Sequence, residues 1–241
     1  MTKITRAMIL AAGRGLRMRP LTEKRPKPLV TLAGRPLIDH ALGRLEAVGV
    51  HTVVVNTHHL GGQLESHLAH RSDVILSQES ELLETGGGVK RALGHFGSEA
   101  FLALNCDAVW FDAEVPALAR LMDGWRDAEM DALLLLYPAS KVATHSGEGD
   151  YDVGSNGQAR RRRSGRTAPF LFAGLQVLHP RLFDGSPDKP FSLNLLYDVA
   201  ERSGRLYAMI HDGRWFHVGT PDELRYAEQE LSASPATAGS P

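Results

Sequence analysis

The chain has 241 residues, of which 43% are hydrophobic and 23% charged, and its formal net charge is −1. This suits one α/β domain with a full core and argues against nucleic acid or a membrane surface as an electrostatic partner. No apolar run approaches the ~18 residues that cross a bilayer, Met1–Arg6 is too polar to begin a signal peptide, and Cys106 is the only cysteine, so a reducing, cytoplasmic setting without disulfides is expected.

Residues 7–12 read as a buried strand that runs into the turn Gly13-Arg14-Gly15. Glycine has no Cβ, so such a turn lets backbone N–H groups come close to a polyphosphate. Leu10, Ala11, Ala12, Gly13 and Gly15 are therefore candidate nucleotide contacts, with Arg17 and Lys27 placing positive charge on either side. Two glycines alone are common in tight turns. The stretch is not Gly-x-Gly-x-x-Gly, since residue 18 is Met, and no Gly-Lys-Ser/Thr follows. Residues 36–48 predict a helix with the stripe Leu37, Ile38, Ala41, Leu42, Leu45 and Val48, Pro36 in its first turn and Gly49 at its end. Thr52–Asn56 is a β-branched run and predicts a buried parallel strand. A helix over 62–70 and a strand over 74–78 follow.

Residues 86–95 predict a helix opened by three glycines, whose N–H groups and positive end would face a ligand; a glycine-rich loop without a ligand is the plainer reading. Phe101–Asn105 predicts a strand ending at Asp107. A carboxylate there can hold Mg²⁺, which takes few protein ligands, or can serve a turn. Cys106 beside it reads as a small buried filler. A helix over 115–128 and a strand over 132–137 complete an alternation that means a mostly parallel sheet between helices, with ligands at the strands' carboxyl ends. The Gly-rich turn, Asn56, Gln78 and Asp107 all fall at such ends.

Beyond residue 138 the chain turns polar, and the basic run Arg160–Arg163 with Arg166 reads as a solvated hairpin tip. A strand over 170–178 is interrupted at Ala173-Gly174. A helix over 191–203, a strand over 206–211 and a closing helix over 221–231 follow. There is no repeat and no linker, so residues 1–231 form one domain and 232–241 a frayed tail.

Gly13, Gly15, Arg17, Met18, Pro20 and Thr22, followed by Pro26-Lys27-Pro28, resemble the signature of the sugar-1-phosphate nucleotidyltransferases. The resemblance runs from Ala7 to about Leu231. It implies a Rossmann-like nucleotidyltransferase fold, a mixed, mostly parallel sheet between helices. It also implies a reaction of a nucleoside triphosphate with a sugar 1-phosphate that yields an NDP-sugar and pyrophosphate, with Arg17, Lys27 and Asp107 as catalytic residues. Gln78 and Glu79 would lie near the base, Thr85 and Gly86 near the base or sugar, and Asn105 beside the nucleotide. Asp150 in Gly149-Asp150-Tyr151, Gly174 and Asn194 would face the sugar. Asp107 matches the family's metal ligand, for Mg²⁺ with Mn²⁺ possible.

In Trp215-Phe-His-Val-Gly-Thr220 the family has Asp where this chain has His217. Imidazole suits Mn²⁺ or Zn²⁺ better than Mg²⁺. Three readings stand: a direct ligand, a holder of metal-bound water, or a structural histidine. The wording Leu-Glu-Thr-Gly-Gly-Gly over 83–88 is similar to N-acetylmuramate 1-phosphate uridylyltransferases and some mannose-1-phosphate guanylyltransferases. The expectation is therefore UTP and N-acetylmuramate 1-phosphate, in cell-wall sugar recycling. The alternatives are another enzyme of this class or, given the missing second Asp, a non-catalytic nucleotide-sugar sensor. The oligomeric state is open.

Overall fold

The computed structural model describes residues 4–144 and 147–233; the last helix runs to Ala233, two residues into the tail expected over 232–241, and the rest of that expected tail lies outside the described residues. The apolar run Ala7–Ile9 is fully buried in strand β1 (Arg6–Leu10). A two-stranded pair, β2 (Thr31–Leu32) and β3 (Arg35–Pro36), leads into helix α1 (Leu37–Ala47), which buries Leu37, Ile38, Ala41, Leu42 and Leu45. β4 (Thr52–Thr57), α2 (Gly61–Leu68), β5 (Val74–Gln78), α3 (Glu84–Ala92) and β6 (Phe101–Asn105) follow. β1 pairs in parallel with both β4 and β6, and β4 pairs in parallel with β5. Four carboxyl ends therefore meet one edge in the spatial order β6, β1, β4, β5, with neighbours about 4.8 Å apart.

After β6 the connectivity changes. The chain runs through β7 (Ala108–Phe111), α4 (Ala117–Gly124), β8 (Ala132–Pro138), the hairpin β9 (Tyr151–Val153) and β10 (Ala159–Arg161), β11 (Phe170–Leu178), α5 (Asn194–Arg202), β12 (Leu206–Ile210), β13 (Arg214–His217) and α6 (Pro221–Ala233). β11 lies antiparallel between β6 and β8, and its register shifts between Phe172 and Gln176, around the Ala173-Gly174 interruption. β12 pairs in parallel with β8. The sheet is thus mixed, with its parallel half in the first part of the chain.

β7 and β13 leave the main sheet and pair with each other, which puts His217 opposite Ala108. The expected helix over 115–128 is shorter, because backbone at Trp125 is extended and ends it. The basic run is not a hairpin tip. The hairpin turns before it, and Arg160–Arg161 lie within β10. Arg161 pairs with Asp198, and Arg162 donates to the Gly149 carbonyl at 2.8 Å and pairs with Glu148 at 2.6 Å. Arg160, Arg163 and Arg166 are exposed.

Both sheet faces are dry, so β1 alternates between two cores. Ala7 and Ile9 face the layer of Leu42, Leu45 and Leu121, while Met8 faces that of Phe96, Phe101 and Leu196. A third cluster joins Met18, Val30 and Leu37 to Val109, Phe216, Val218 and Leu224. It fastens the segment after the Gly-rich turn to β7, β13 and α6.

Candidate active site

A cavity of about 490 Å³ opens at the carboxyl ends of the parallel strands. The turn after β1 supplies one wall, with Leu10, Ala11, Ala12, Gly13, Gly15 and Arg17. Gly15 has φ +60°, and a Cβ there would stand 3.0 Å from Thr22 and 3.1 Å from Lys27. Glycine thus permits both the left-handed backbone and the close packing. Buried Thr22 donates to the Gly15 carbonyl at 2.8 Å and fixes the turn. Arg17 is exposed and makes no ion pair among the described residues.

On the β4–β5 side, Asn56 and Glu79 are both buried. Asn56 Oδ1 accepts from the Ala11 N–H at 2.7 Å, and its Nδ2 donates to Glu79 Oε1 at 2.7 Å. Glu79 Oε2 accepts from the Leu83 N–H at 3.1 Å. One hydrogen-bond network therefore ties the Gly-rich turn to the segment that opens α3. Thr85 also lines this wall, and its hydroxyl accepts from the Leu193 N–H at 2.9 Å.

Gln78 and Gly86 lie off the cavity wall. Gln78 is exposed and donates to Glu65 at 2.8 Å. The amides of Gly86 and Gly87 donate to the Phe191 carbonyl at 2.8 and 3.2 Å, and a Cβ on Gly86 would stand 2.3 Å from the Phe191 ring. The expectation that this glycine run aims its N–H groups at a ligand is corrected here. These glycines let α3 sit against the segment that carries Phe191.

On the β6 side, Asn105, Cys106 and Asp107 line the cavity. Burial pushes the Cys106 thiol up to about 12, so it stays protonated as an inert filler. Lys27 Nζ reaches Asp107 Oδ2 at 2.7 Å, and His217 Nε2 stands 3.4 Å from the same oxygen. His217 Nδ1 is 3.3 Å from Glu223 Oε1. Charges thus run in a line, Lys27, Asp107, His217, Glu223. Burial alone would raise the Asp107 carboxyl, but the His217 hydrogen bond and the Lys27 charge outweigh it and hold the group well below the usual carboxylate range. Burial would lower His217, and the carboxylates of Asp107 and Glu223 outweigh that, so its imidazolium is favoured.

Glu223 is held by the start of α6. Its Oε2 accepts from the Gly219 N–H at 2.9 Å and the Thr220 hydroxyl at 3.1 Å, while Thr220 Oγ1 accepts from the Glu223 N–H at 3.2 Å. This is a capping box, signalled in the sequence by Thr220-Pro-Asp-Glu223. Sequence reasoning missed Glu223, and it missed that Asn56 is a buried link in the turn's own wall. A polar residue closing an otherwise β-branched run was the available signal.

His217 lines not the main cavity but a neighbouring one of about 90 Å³, with Tyr137 and Arg214. The expected sugar-side residues also lie off the main wall. Gly174 packs against Asn105, where a Cβ would stand 3.2 Å away. Asp150 is exposed, and its carboxylate accepts from the Phe172 N–H at 2.9 Å, at the irregular part of β11. Asn194 is exposed at the start of α5, and its carbonyl accepts from Arg161 at 3.4 Å.

The family described as MobA-like NTP transferase domain matches residues 7–181. N-acetylmuramate alpha-1-phosphate uridylyltransferase of Caulobacter vibrioides is 37% identical over 94% of this chain and 96% of its own length. The protein of the same name from Neisseria meningitidis serogroup B is 34% identical over 92% and 96%. The crystal structure of HddC from Yersinia pseudotuberculosis complexed with GMP-PN has the same fold, with a TM-score of 0.77 at 19% identity over 95% of this chain and 100% of that one.

Proposed function

This chain belongs to the MobA-like NTP transferase family, and from that premise we propose that it joins UTP to N-acetylmuramate 1-phosphate, giving UDP-N-acetylmuramate and pyrophosphate. The observation that carries the reading is the Lys27–Asp107 pair at 2.7 Å, on the wall of a cavity that also holds the Gly-rich turn and an unpaired Arg17. The choice of substrates rests on the two similar uridylyltransferases. A mannose-1-phosphate guanylyltransferase is the second reading, since the Leu-Glu-Thr-Gly-Gly-Gly wording is similar to some of those enzymes as well as to the uridylyltransferases.

The chemistry is one displacement. A phosphate oxygen of the sugar 1-phosphate attacks the α-phosphorus, the new P–O bond forms, the α–β bond breaks, and pyrophosphate takes the electron pair. No side chain acts as a nucleophile. The protein's part is alignment and charge neutralisation in a partly enclosed cavity. The order of strands supports a layout with the triphosphate on the turn after β1, the nucleoside toward β4 and β5, and the sugar phosphate toward β6. Arg17 would stabilise the leaving pyrophosphate, and Lys27 would reduce repulsion between the two reacting phosphates.

Asp107 is the oxygen ligand that would hold a divalent cation such as Mg²⁺, and His217 could join it only as the neutral imidazole, a donor that suits Mn²⁺ better. With Glu223 on Nδ1, the other ring nitrogen of His217 faces Asp107 Oδ2 at 3.4 Å, and two such acceptors repel unless a proton or a cation lies between them. Among the described residues no group of three or more His, Cys, Asp or Glu side chains gathers for a metal. An ion held by Asp107 and His217 would take its remaining ligands from water and phosphate, as Mg²⁺ does. When bound it supplies charge neutralisation to both phosphates.

The test is pyrophosphate release with Mg²⁺ or Mn²⁺, crossing UTP, GTP, dTTP and CTP with the 1-phosphates of N-acetylmuramate, N-acetylglucosamine, glucose and mannose. Turnover confined to UTP and N-acetylmuramate 1-phosphate is expected. Turnover with GTP and mannose 1-phosphate overturns the substrates and keeps the displacement. Nucleotide binding without any turnover favours the sensor. If His217→Asp keeps Mg²⁺-dependent turnover, His217 occupies a metal position; if turnover then fails while the fold holds, the imidazolium itself is required.

A further inference from the structure

The two carboxylate oxygens of Glu223 face different partners. Oε2 serves the cap of α6, accepting from the Gly219 N–H at 2.9 Å and the Thr220 hydroxyl at 3.1 Å. Oε1 takes no part in the cap and stands 3.3 Å from His217 Nδ1. A glutamine would complete such a cap equally well, so the cap does not explain the charge. The seat of the imidazole is shaped for a ring beside this oxygen. A Cβ on Gly219 would stand 2.3 Å from His217 Cε1 and 3.0 Å from Glu223 Oε2, so glycine leaves the space in which ring and carboxylate meet. The ring plane also lies 17° from that of the Trp215 indole.

An imidazole can join a cation only through a nitrogen that carries no proton. Nε2 is the nitrogen toward Asp107, at 3.4 Å from Oδ2, so the proton of the neutral ring has to sit on Nδ1. The neighbours favour that form. Asp107 Oδ2 already accepts from Lys27 at 2.7 Å, whereas Glu223 Oε1 has no other donor among the described residues. Resting on the cation proposed above for Asp107, we propose that Glu223 is a positioning residue that holds the Nδ1–H of His217 and so leaves Nε2 bare toward the ion. A carboxylate does this and an amide reverses it. In Glu223→Gln the cap needs the amide oxygen where Oε2 now stands. That turns the NH₂ group toward Nδ1 and moves the ring proton to Nε2, between the imidazole and Asp107.

Two measurements on the full chain, without nucleotide, test this. Long-range proton–nitrogen NMR of the histidine side chains, at a pH where the His217 ring is neutral, reads the tautomer directly. Cation-free wild type should show the Nδ1–H form and Glu223→Gln the Nε2–H form, with an unchanged Tm because the cap survives. Mn²⁺ titration followed by electron paramagnetic resonance should then show affinity about tenfold or more weaker in Glu223→Gln, the usual cost of removing a group that orients a metal-binding histidine. In a His217→Asp background, which has no ring to orient, the same change should leave Mn²⁺ affinity unaltered. Wild type in the Nε2–H form, or one tautomer in both proteins, overturns the assignment. An equal loss of Mn²⁺ affinity in both backgrounds overturns it too, because Glu223 then acts through the helix cap alone. If neither wild type nor His217→Asp binds Mn²⁺, the ion at Asp107 falls and this role falls with it. Neither measurement needs turnover, so a failure of the proposed substrates stays distinct from a failure of this contact.

Discussion

On the β4–β5 side of the cavity, Asn56 and Glu79 are fixed by hydrogen bonds to neutral amides, including the backbone N–H groups of Ala11 and Leu83. On the β6 side, Lys27, Asp107, His217 and Glu223 alternate in charge along one line. The first wall sets shape and is bound up with folding. The second keeps ion-paired charge at the place where phosphates would meet. Substitutions should therefore separate: losses on the hydrogen-bonded wall should appear mainly in stability, and losses on the ion-paired wall mainly in turnover.

The largest effect is expected on the charged side. Lys27→Ala should lower kcat by on the order of 10²–10³, the usual cost of one fixed charge-stabilising group, and exposed Arg17→Ala should do the same with an unchanged urea midpoint. Steady-state pyrophosphate release measures both, and near-wild-type turnover removes that residue from the mechanism. Next comes the packing that supports the hydrogen-bonded wall. Gly86→Ala forces a Cβ to 2.3 Å from Phe191, so it should cost about 2–3 kcal/mol of unfolding free energy in urea. A stability equal to wild type would show that α3 is not seated as described.

Smaller still is Glu79→Ala, expected to cost about 1–2 kcal/mol by leaving the Asn56 amide and the Leu83 N–H unpaired. If it proves as stable as wild type while Lys27→Ala unfolds readily, the contrast between the walls is reversed and falls. The finest test is an NMR titration of two histidines on one short segment, in protein without divalent cations. His217 should titrate above the ordinary 6.5, because its two carboxylate neighbours outweigh burial. His211 should titrate below it, because burial outweighs its bond to the Arg214 carbonyl. His217 then contributes stability below about pH 6.5 that is lost as pH rises through its raised midpoint. His211 contributes stability above that pH, lost as pH falls through its lowered midpoint. Shifts in the same direction would refute the account of one of them.

The same division marks what the sequence discloses. β5 and β6 stand where their apolar runs end, at Gln78 and Asn105, because buried parallel strands announce themselves locally. The charged wall depends on β7 meeting β13, and four residues such as Ala108-Val-Trp-Phe111 carry no mark of a partner a hundred residues on. The motif wording still led to Asp107 and His217, which the fold brings together. It could not show that Gly86 and Gly87 answer to Phe191, since a glycine run looks the same whether it admits a ligand or another segment. Nor could a count of arginines reveal that Arg161 and Arg162 are held by Asp198 and Glu148.

The third apolar cluster has a consequence for the order in which the molecule becomes competent. Met18, just past the Gly-rich turn, shares one buried apolar cluster with Val218 and the α6 residue Leu224, and the start of α6 holds the carboxylate that faces His217. The earliest loop of the domain is thus seated on its latest helix. The parallel strands can pair without α6, but the segment after the Gly-rich turn completes its apolar packing only when α6 docks. Completion of the cavity is thereby tied to the docking of α6 and not to formation of the sheet alone.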